Sequence, residues 1–219
     1  MYFANREDAA RQLAKALDRF RKDKPIVLAL PRGGVPIGYE IARTLHCPLD
    51  LVLVRKLGAP YQPELAVGAV VDGEPPEIVV NEDVASALDL TEAFIKKAAD
   101  RELAEIGRRR KLYLKDRPHP ALTGRTAILV DDGIATGATA RAALRAARRQ
   151  KPAKLVLAVP VAPPETVREL SSECDELICL DQPEGFGAIG FFYADFRQVT
   201  DEEVIELLDR AAAAAPPGS

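Results

Sequence analysis

The sequence predicts an α/β domain: an open, mainly parallel sheet flanked by helices. Three observations predict it. Short, continuous aliphatic runs at 25–30, 49–54, 128–130 and 155–161 read as strands buried on both faces. Segments with helical spacing alternate with them, as βα units require. The 219 residues, 47% of them apolar, suffice for one substantial domain with a real core.

The formal net charge of −3 gives no global electrostatic case for nucleic acid. No apolar run approaches the roughly 20 residues that span a bilayer, so no membrane partner is expected. Residues 1–6 lack the basic-then-apolar layout of a signal peptide. Cys47, Cys174 and Cys179 fit no zinc spacing and leave one over, which favours a reduced, cytoplasmic setting.

Residues 6–22 read as an amphipathic helix capped by Asn5, with Leu13, Leu17 and Phe20 on its packing face. Pro25–Leu30 reads as a strand, followed by Pro31-Arg32-Gly33-Gly34-Val35-Pro36 and a helix over 37–45. The two glycines allow positive φ and close approach of a ligand to the backbone. Arg32 beside them is a fixed cation suited to phosphate. A turn chosen for geometry alone explains the glycines equally well.

Leu49–Val54 is the next expected strand, with Arg55 and Lys56 at its carboxyl end pointing into a crevice; ordinary surface charge is the alternative. Residues 58–80 hold seven glycines and prolines among short apolar stretches, with strands expected at 67–71 and 77–80 and a notable carboxylate at Glu64. Thr91–Tyr113 reads as a long helix with Ile95, Ala99, Leu103, Ile106 and Tyr113 on one face. Arg108–Lys111 suits the solvated end of that helix better than an anion site. His46 and His119 read as structural.

Ile128-Leu129-Val130-Asp131-Asp132-Gly133-Ile134-Ala135-Thr136-Gly137-Ala138-Thr139 organises the rest. A buried strand runs into two carboxylates, a small and hydroxylic loop, and a helix start. The backbone N–H groups and hydroxyls of 136–139 favour an anion at the helix N-terminus. The carboxylates would repel that anion and suit a diol or hydrated Mg²⁺ instead. A sugar phosphate fits both ends. The Gly-Lys-Ser/Thr ending of a Walker loop is missing.

Strand 155–161, helix 165–170 and strand 177–180 follow. Residues 181–196 then gather five of the twelve Phe and Tyr side chains among glycines, which fits an irregular lid able to stack on a planar ring, or core or dimer packing. Thr200-Asp201-Glu202-Glu203 is a capping box opening a last helix with Val204, Ile205, Leu207 and Leu208 inward; 211–219 is expected to fray.

The stretch 128–139 resembles the signature of type I phosphoribosyltransferases, which bind 5-phosphoribosyl-1-pyrophosphate (PRPP). The resemblance implies their fold, a single domain over 1–210, with 58–80 as a mobile hairpin and 181–198 as a C-terminal hood. It implies that Asp131 and Asp132 hold the ribose hydroxyls, and Mg²⁺ indirectly through water or ribose. Ala135, Thr136, Gly137, Ala138 and Thr139 would wrap the ribose phosphate. Arg32-Gly33-Gly34 is similar to the pyrophosphate loop of xanthine-guanine enzymes, and Val54-Arg55-Lys56-Leu57-Gly58 to a segment of adenine enzymes. These imply pyrophosphate contacts from Arg32, Gly33, Gly34, Arg55 and Lys56, with Asp131, Asp132, Lys56 and Arg32 carrying catalysis. Ile134, Phe186, Phe191 and Tyr193 would meet the base. The implied reaction moves ribose phosphate to a nitrogen of a nucleobase or other acceptor in a homodimeric enzyme; a PRPP- or nucleotide-sensing regulator of the same fold is the alternative. Ala135 replaces the aspartate of many 6-oxopurine enzymes, and Val159–Pro164 lacks their lysine, which disfavours guanine and hypoxanthine.

Overall fold

The structure, a computed structural model, describes residues 2–73, 75–115 and 117–214. Five parallel strands form the main sheet: β1 (Ile26–Ala29), β2 (Leu49–Leu51), β6 (Thr126–Val130), β7 (Lys154–Val161) and β8 (Glu176–Asp181). Their spatial order is β2-β1-β6-β7-β8. Alternate residues of each central strand feed two separate cores. Val27, Ala29, Ile128, Val130, Val156 and Ala158 belong to one, and Ile26, Leu28, Ala127, Leu129, Leu155 and Leu157 to the other. That division explains why the strands read as unbroken aliphatic runs: neither face meets water.

The first core is closed by α1 (Arg6–Leu17), α2 (Gly34–Leu45), α4 (Glu92–Leu114) and α7 (Asp201–Ala214). The second is closed by α5 (Ala138–Arg149) and α6 (Pro164–Leu170). The chain therefore leaves β1 through α2 toward one face and one edge. It leaves β6 through α5 toward the opposite face and edge. Such a reversal opens a crevice beyond the carboxyl ends of the two adjacent strands, where α/β proteins bind ligands. Residues 31–33 and 131–137 are the loops at that crevice.

A second, antiparallel sheet holds β3 (Val54–Ala59), β4 (Gln62–Val71) and β5 (Glu77–Val80) in that order. A short helix, α3 (Glu82–Ala87), leads from it to α4.

Most expected elements form with small shifts of boundary. Asn5 caps α1, its side-chain oxygen accepting from the Asp8 N–H at 2.9 Å. Thr91 caps α4 in the same way through the Phe94 N–H at 3.2 Å. The capping box closes reciprocally: the Glu203 N–H donates to Thr200 Oγ1 (3.2 Å) and the Thr200 N–H to Glu203 Oε2 (2.9 Å).

Four expectations are corrected. The helix expected over 6–22 ends at Leu17 and continues as a 3-10 turn over Asp18–Asp23. The strand expected over 49–54 is two strands in two sheets, β2 and β3, because the chain crosses between them at Val52 and Leu53. The strand expected at 67–71 starts at Gln62 and pairs with β3 as one arm of a hairpin. Residues 211–214 continue α7, while 215–219 lie outside the described residues.

Candidate functional site

The crevice is built from the two loops. Beyond β1 the Pro31–Arg32 peptide is cis, and α2 begins at Gly34. Gly33 sits at φ −60°, so its backbone is one that any residue could adopt. What demands glycine is proximity: a Cβ there would lie 2.0 Å from Asp132 Oδ2. Gly34 is pressed the same way, its Cβ position 2.9 Å from the Val130 carbonyl and 3.3 Å from Asp131 Oδ1. The expected positive φ is thus absent. The close approach is to the acidic pair of the facing loop.

Asp131 and Asp132 stand at the end of β6. Asp132 is buried and Asp131 partly so. The Asp132 N–H donates to Asp131 Oδ1 at 2.9 Å. Burial first, and then the Asp132 charge, push the Asp131 carboxyl well above the usual range. Burial also raises Asp132, against the pull of Arg6. The pair holds protons more firmly than exposed aspartates do, because two adjacent buried charges cannot both be solvated.

Arg6 is the residue that sequence reasoning missed. Its Nε donates to Asp132 Oδ2 at 2.7 Å, with both side chains 11% exposed. Its Nη1 donates to the Arg197 carbonyl at 2.8 Å, and its guanidinium lies 4.0 Å from the Phe196 ring centroid. One signal was available. Arg6 is the first residue of α1, where the positive end of the helix dipole disfavours a cation. A cation placed there needs a carboxylate elsewhere.

Beyond the pair, the backbone turns through Gly137 at φ +75°, a left-handed conformation suited to glycine, and enters α5. Ala135, Thr136, Ala138 and Thr139 are exposed around the buried Gly137. The first N–H groups of α5 lack partners within the helix and face this rim. Thr166 Oγ1 donates to the Ala135 carbonyl at 2.7 Å and so pins the turn from α6.

The expected cations separate. Lys56 is exposed and lines a cavity of about 520 Å³ shared with Ala138 and Thr139. Arg55 is corrected: it does not point into the motif crevice. Adjacent strand residues face opposite ways, and Arg55 Nε pairs with Glu102 Oε2 of α4 at 2.9 Å. Arg32 directs Nη1 to Asp201 Oδ1, 3.6 Å away at the start of α7. The Glu64 side chain lies outside what the structure describes.

The aromatic segment is irregular, as expected, apart from a 3-10 turn over Ile189–Phe192. Two of the expected base contacts are corrected, Tyr193 in this segment and Ile134 in the motif loop. Tyr193 is buried, donates its hydroxyl to the Asp132 carbonyl at 2.6 Å, stacks on Phe196 at 5.0 Å and meets the tilted Phe3 ring at 5.4 Å. It is a pillar under the acidic pair. Ile134 is 4% exposed and packs in the core below the turn. Phe186 stacks on Phe192 at 5.3 Å, and Phe191 is 74% exposed at the rim. The N-terminal segment runs beside this aromatic segment. The Phe3 N–H donates to the Phe192 carbonyl and the Ala194 N–H to the Phe3 carbonyl, both at 2.8 Å.

Residues 78–194 match the family model of the phosphoribosyl transferase domain. The chain belongs to that family. It is similar to TT1426 of Thermus thermophilus, with 42% identity, a TM-score of 0.84, and 95% and 98% of the two chains covered. It is 46% identical over 209 residues to Rv0571c of Mycobacterium tuberculosis H37Rv and to its counterpart MT0597 in strain CDC 1551, both named as phosphoribosyl transferases provisionally. Those alignments cover 95% of this chain and 47% of each relative, so the chain spans about half their length. As a phosphoribosyl transferase domain, it carries Asp131–Thr139 within the matched region, while Arg6 lies outside it.

Among the described residues, no three His, Cys, Asp or Glu side chains converge as a metal site. Asp131 and Asp132 are the residues that would hold a Mg²⁺, an ion that keeps waters and takes one or two carboxylates together with substrate phosphates. Among the described residues, no helix is long and apolar enough to cross a membrane.

Proposed function

We propose that the chain transfers the 5-phosphoribosyl group of PRPP to a ring nitrogen of an acceptor base and releases pyrophosphate. One observation carries the reading: a buried acidic pair directly adjoins an exposed glycine-centred turn at a helix N-terminus, both at the switch point of the sheet. The turn suits the 5-phosphate, and the pair suits the ribose diol.

In this reaction the acceptor nitrogen forms a bond to the anomeric carbon as the bond from that carbon to pyrophosphate breaks. The nitrogen gives up its proton to solvent, and pyrophosphate leaves with the bonding electrons. The 135–139 turn anchors the sugar by its phosphate. Asp131 and Asp132 fix the ribose and stabilise positive charge developing on the ring. Lys56, which lines one cavity with Thr139, would meet a phosphate group of the substrate. Mg²⁺, when bound with the substrate, would offset the negative charge of the leaving pyrophosphate. The end of β7 and the following residues, Val159–Pro163, are buried and supply no cation, which keeps 6-oxopurines disfavoured as acceptors.

The setting fits a cytoplasmic protein, since all three cysteines are free. A homodimer remains part of the proposal and is read by light scattering.

The test is pyrophosphate release from Mg²⁺-PRPP across purine, pyrimidine and pyridine bases, with PRPP binding followed by calorimetry. Release with one base establishes transfer and names the acceptor. Binding with no release across the panel supports a PRPP sensor. Absence of PRPP binding overturns the assignment of Asp131–Thr139.

A further inference from the structure

The acidic pair carries two potential negative charges, yet its ligand would be a polyanion. A site of that kind needs an internal cation that does not compete for the phosphates. Arg6 meets that need from behind. Its Nε holds one oxygen of Asp132, Oδ2, at 2.7 Å, and it is itself held by the Arg197 carbonyl and the Phe196 ring. On the other acid, Asp131 Oδ1 is held by the Asp132 N–H at 2.9 Å. Each carboxylate thus has one oxygen fixed by the protein, which sets the plane in which its second oxygen lies. A vicinal diol presents two hydroxyls.

We propose that Arg6 is a positioning residue of the ribose site: it fixes the plane of Asp132 so that the pair reads a vicinal diol, and it ties that carboxylate to the hood. The inference rests on the PRPP reading above and adds to it the residue that sets sugar selectivity. Arg6 meets the motif loop itself, at Asp132. Arg6 also occupies a helix position that disfavours its charge, and it bonds the segment that covers the site. The hood side of the link is equally specific. Phe3 and Ala4 pair with Phe192, Ala194 and Asp195, and Tyr193 reaches the Asp132 carbonyl. Arg6 stands where those contacts converge.

The experiment compares wild type with Arg6→Gln and Arg6→Lys by calorimetry against Mg²⁺-PRPP, ribose 5-phosphate and 2-deoxyribose 5-phosphate. Wild type is expected to bind PRPP and to prefer the ribose over the deoxy sugar. Arg6→Gln is expected to bind PRPP roughly tenfold or more weakly, the scale of losing one charge-assisted hydrogen bond. It should also lose the preference between the two sugars while retaining its affinity for the deoxy sugar. Arg6→Lys should recover part of the preference, because it keeps the charge without the planar fork. A wild-type preference that survives in Arg6→Gln overturns the inference. So does an equal loss for both sugars, which marks a general structural role, or a wild type that binds PRPP with no preference. If wild type does not bind PRPP, the PRPP reading fails and the inference falls with it. Should Arg6→Gln fail to fold, Arg6→Lys carries the same comparison, and an unchanged preference there, with PRPP affinity intact, overturns the planar-fork argument on which the proposal stands.

Discussion

Two acidic pairs lie near the core of this phosphoribosyl transferase domain, and they are balanced differently. Asp131 and Asp132 at the end of β6 share one cation, Arg6. Asp50 on β2 and Asp72 just beyond β4 have two cationic partners. His119 Nδ1 meets Asp50 Oδ2 at 2.6 Å, His119 Nε2 meets Asp72 Oδ2 at 3.2 Å, and Arg110 Nη1 reaches Asp72 at 3.1 Å. The titration follows the balance. Burial raises the Asp72 carboxyl, but the His119 and Arg110 contacts outweigh it and leave it lowered. Burial would depress His119, but its two carboxylate partners raise it to about 9. Asp131 and Asp132 are both raised. A closed account of charge makes a staple, here joining the two sheets and α4. An open account leaves capacity for a ligand.

The comparison can be broken at either end. The largest expected effect is His119→Ala, which leaves two buried carboxylates facing one arginine. It should cost about 3 kcal/mol of stability in urea unfolding and leave PRPP affinity unchanged; a loss of PRPP affinity at constant stability would put the staple in the site. Next, Asp132→Asn should weaken PRPP binding by about 1.5–3 kcal/mol, roughly 10- to 100-fold, and calorimetry that finds equal affinity removes the carboxylate from the ribose site.

Changing pH separates the two pairs without a mutation. The folded pKa of His119, about 9, lies above its ordinary 6.5, so its contribution is complete below about pH 6.5. It is lost as pH rises through about 9. Thermal midpoints should therefore fall between these values in wild type, and the fall should shrink in His119→Gln. The raised acids at 131 and 132 act in a different window. Their protonated forms favour the folded state, so their contribution is lost as pH rises from the ordinary carboxyl value upward. Asp72, lowered, contributes above that value and loses its contribution as pH falls below it. The smallest effect is Tyr193→Phe. It removes one hydrogen bond to the Asp132 carbonyl and should cost about 1 kcal/mol of stability by denaturant titration. No change would mean that the ring stack alone holds the pillar.

The first pair is legible in the sequence and the second is not, for one physical reason. Asp131, Asp132 and the turn through Thr139 are contiguous, so strand pattern, charge and helix start announce one another. Asp50, Asp72, Arg110 and His119 are brought together only by the packing of two sheets and a helix, and no local pattern records that. His119 is structural, as its place between two prolines suggests, yet the sequence cannot name its partners. The same reason hides Arg6, which lies 126 positions from Asp132. The aromatic cluster misleads in a different way. Glycine-rich, aromatic sequence does mark irregular structure, and the segment is irregular, but composition cannot say which rings face outward. Tyr193 faces in because its hydroxyl finds the Asp132 carbonyl, while Phe191 faces out. The two glycines after β1 show a related limit: they do mark a close approach, but what approaches is a carboxylate of the same chain.

The bridge between the N-terminal segment and the aromatic segment has a consequence for how the protein is made. Arg6 finds its second anchor 191 positions later, at the Arg197 carbonyl. Ribosomes add about 5–20 residues per second, so the first segment waits roughly 10–40 s for its partner to be synthesised. Asp132 is made 126 positions after Arg6, about two thirds of the way through that interval, and it then lacks the Tyr193 hydrogen bond and the second anchor of Arg6 until residues 193 and 197 follow. The surroundings of the acidic pair are therefore among the last parts of the molecule to be finished, and a nascent chain stalled before residue 193 would own the strand and the turn through Thr139 but neither the Tyr193 hydrogen bond nor the Arg197 anchor of Arg6.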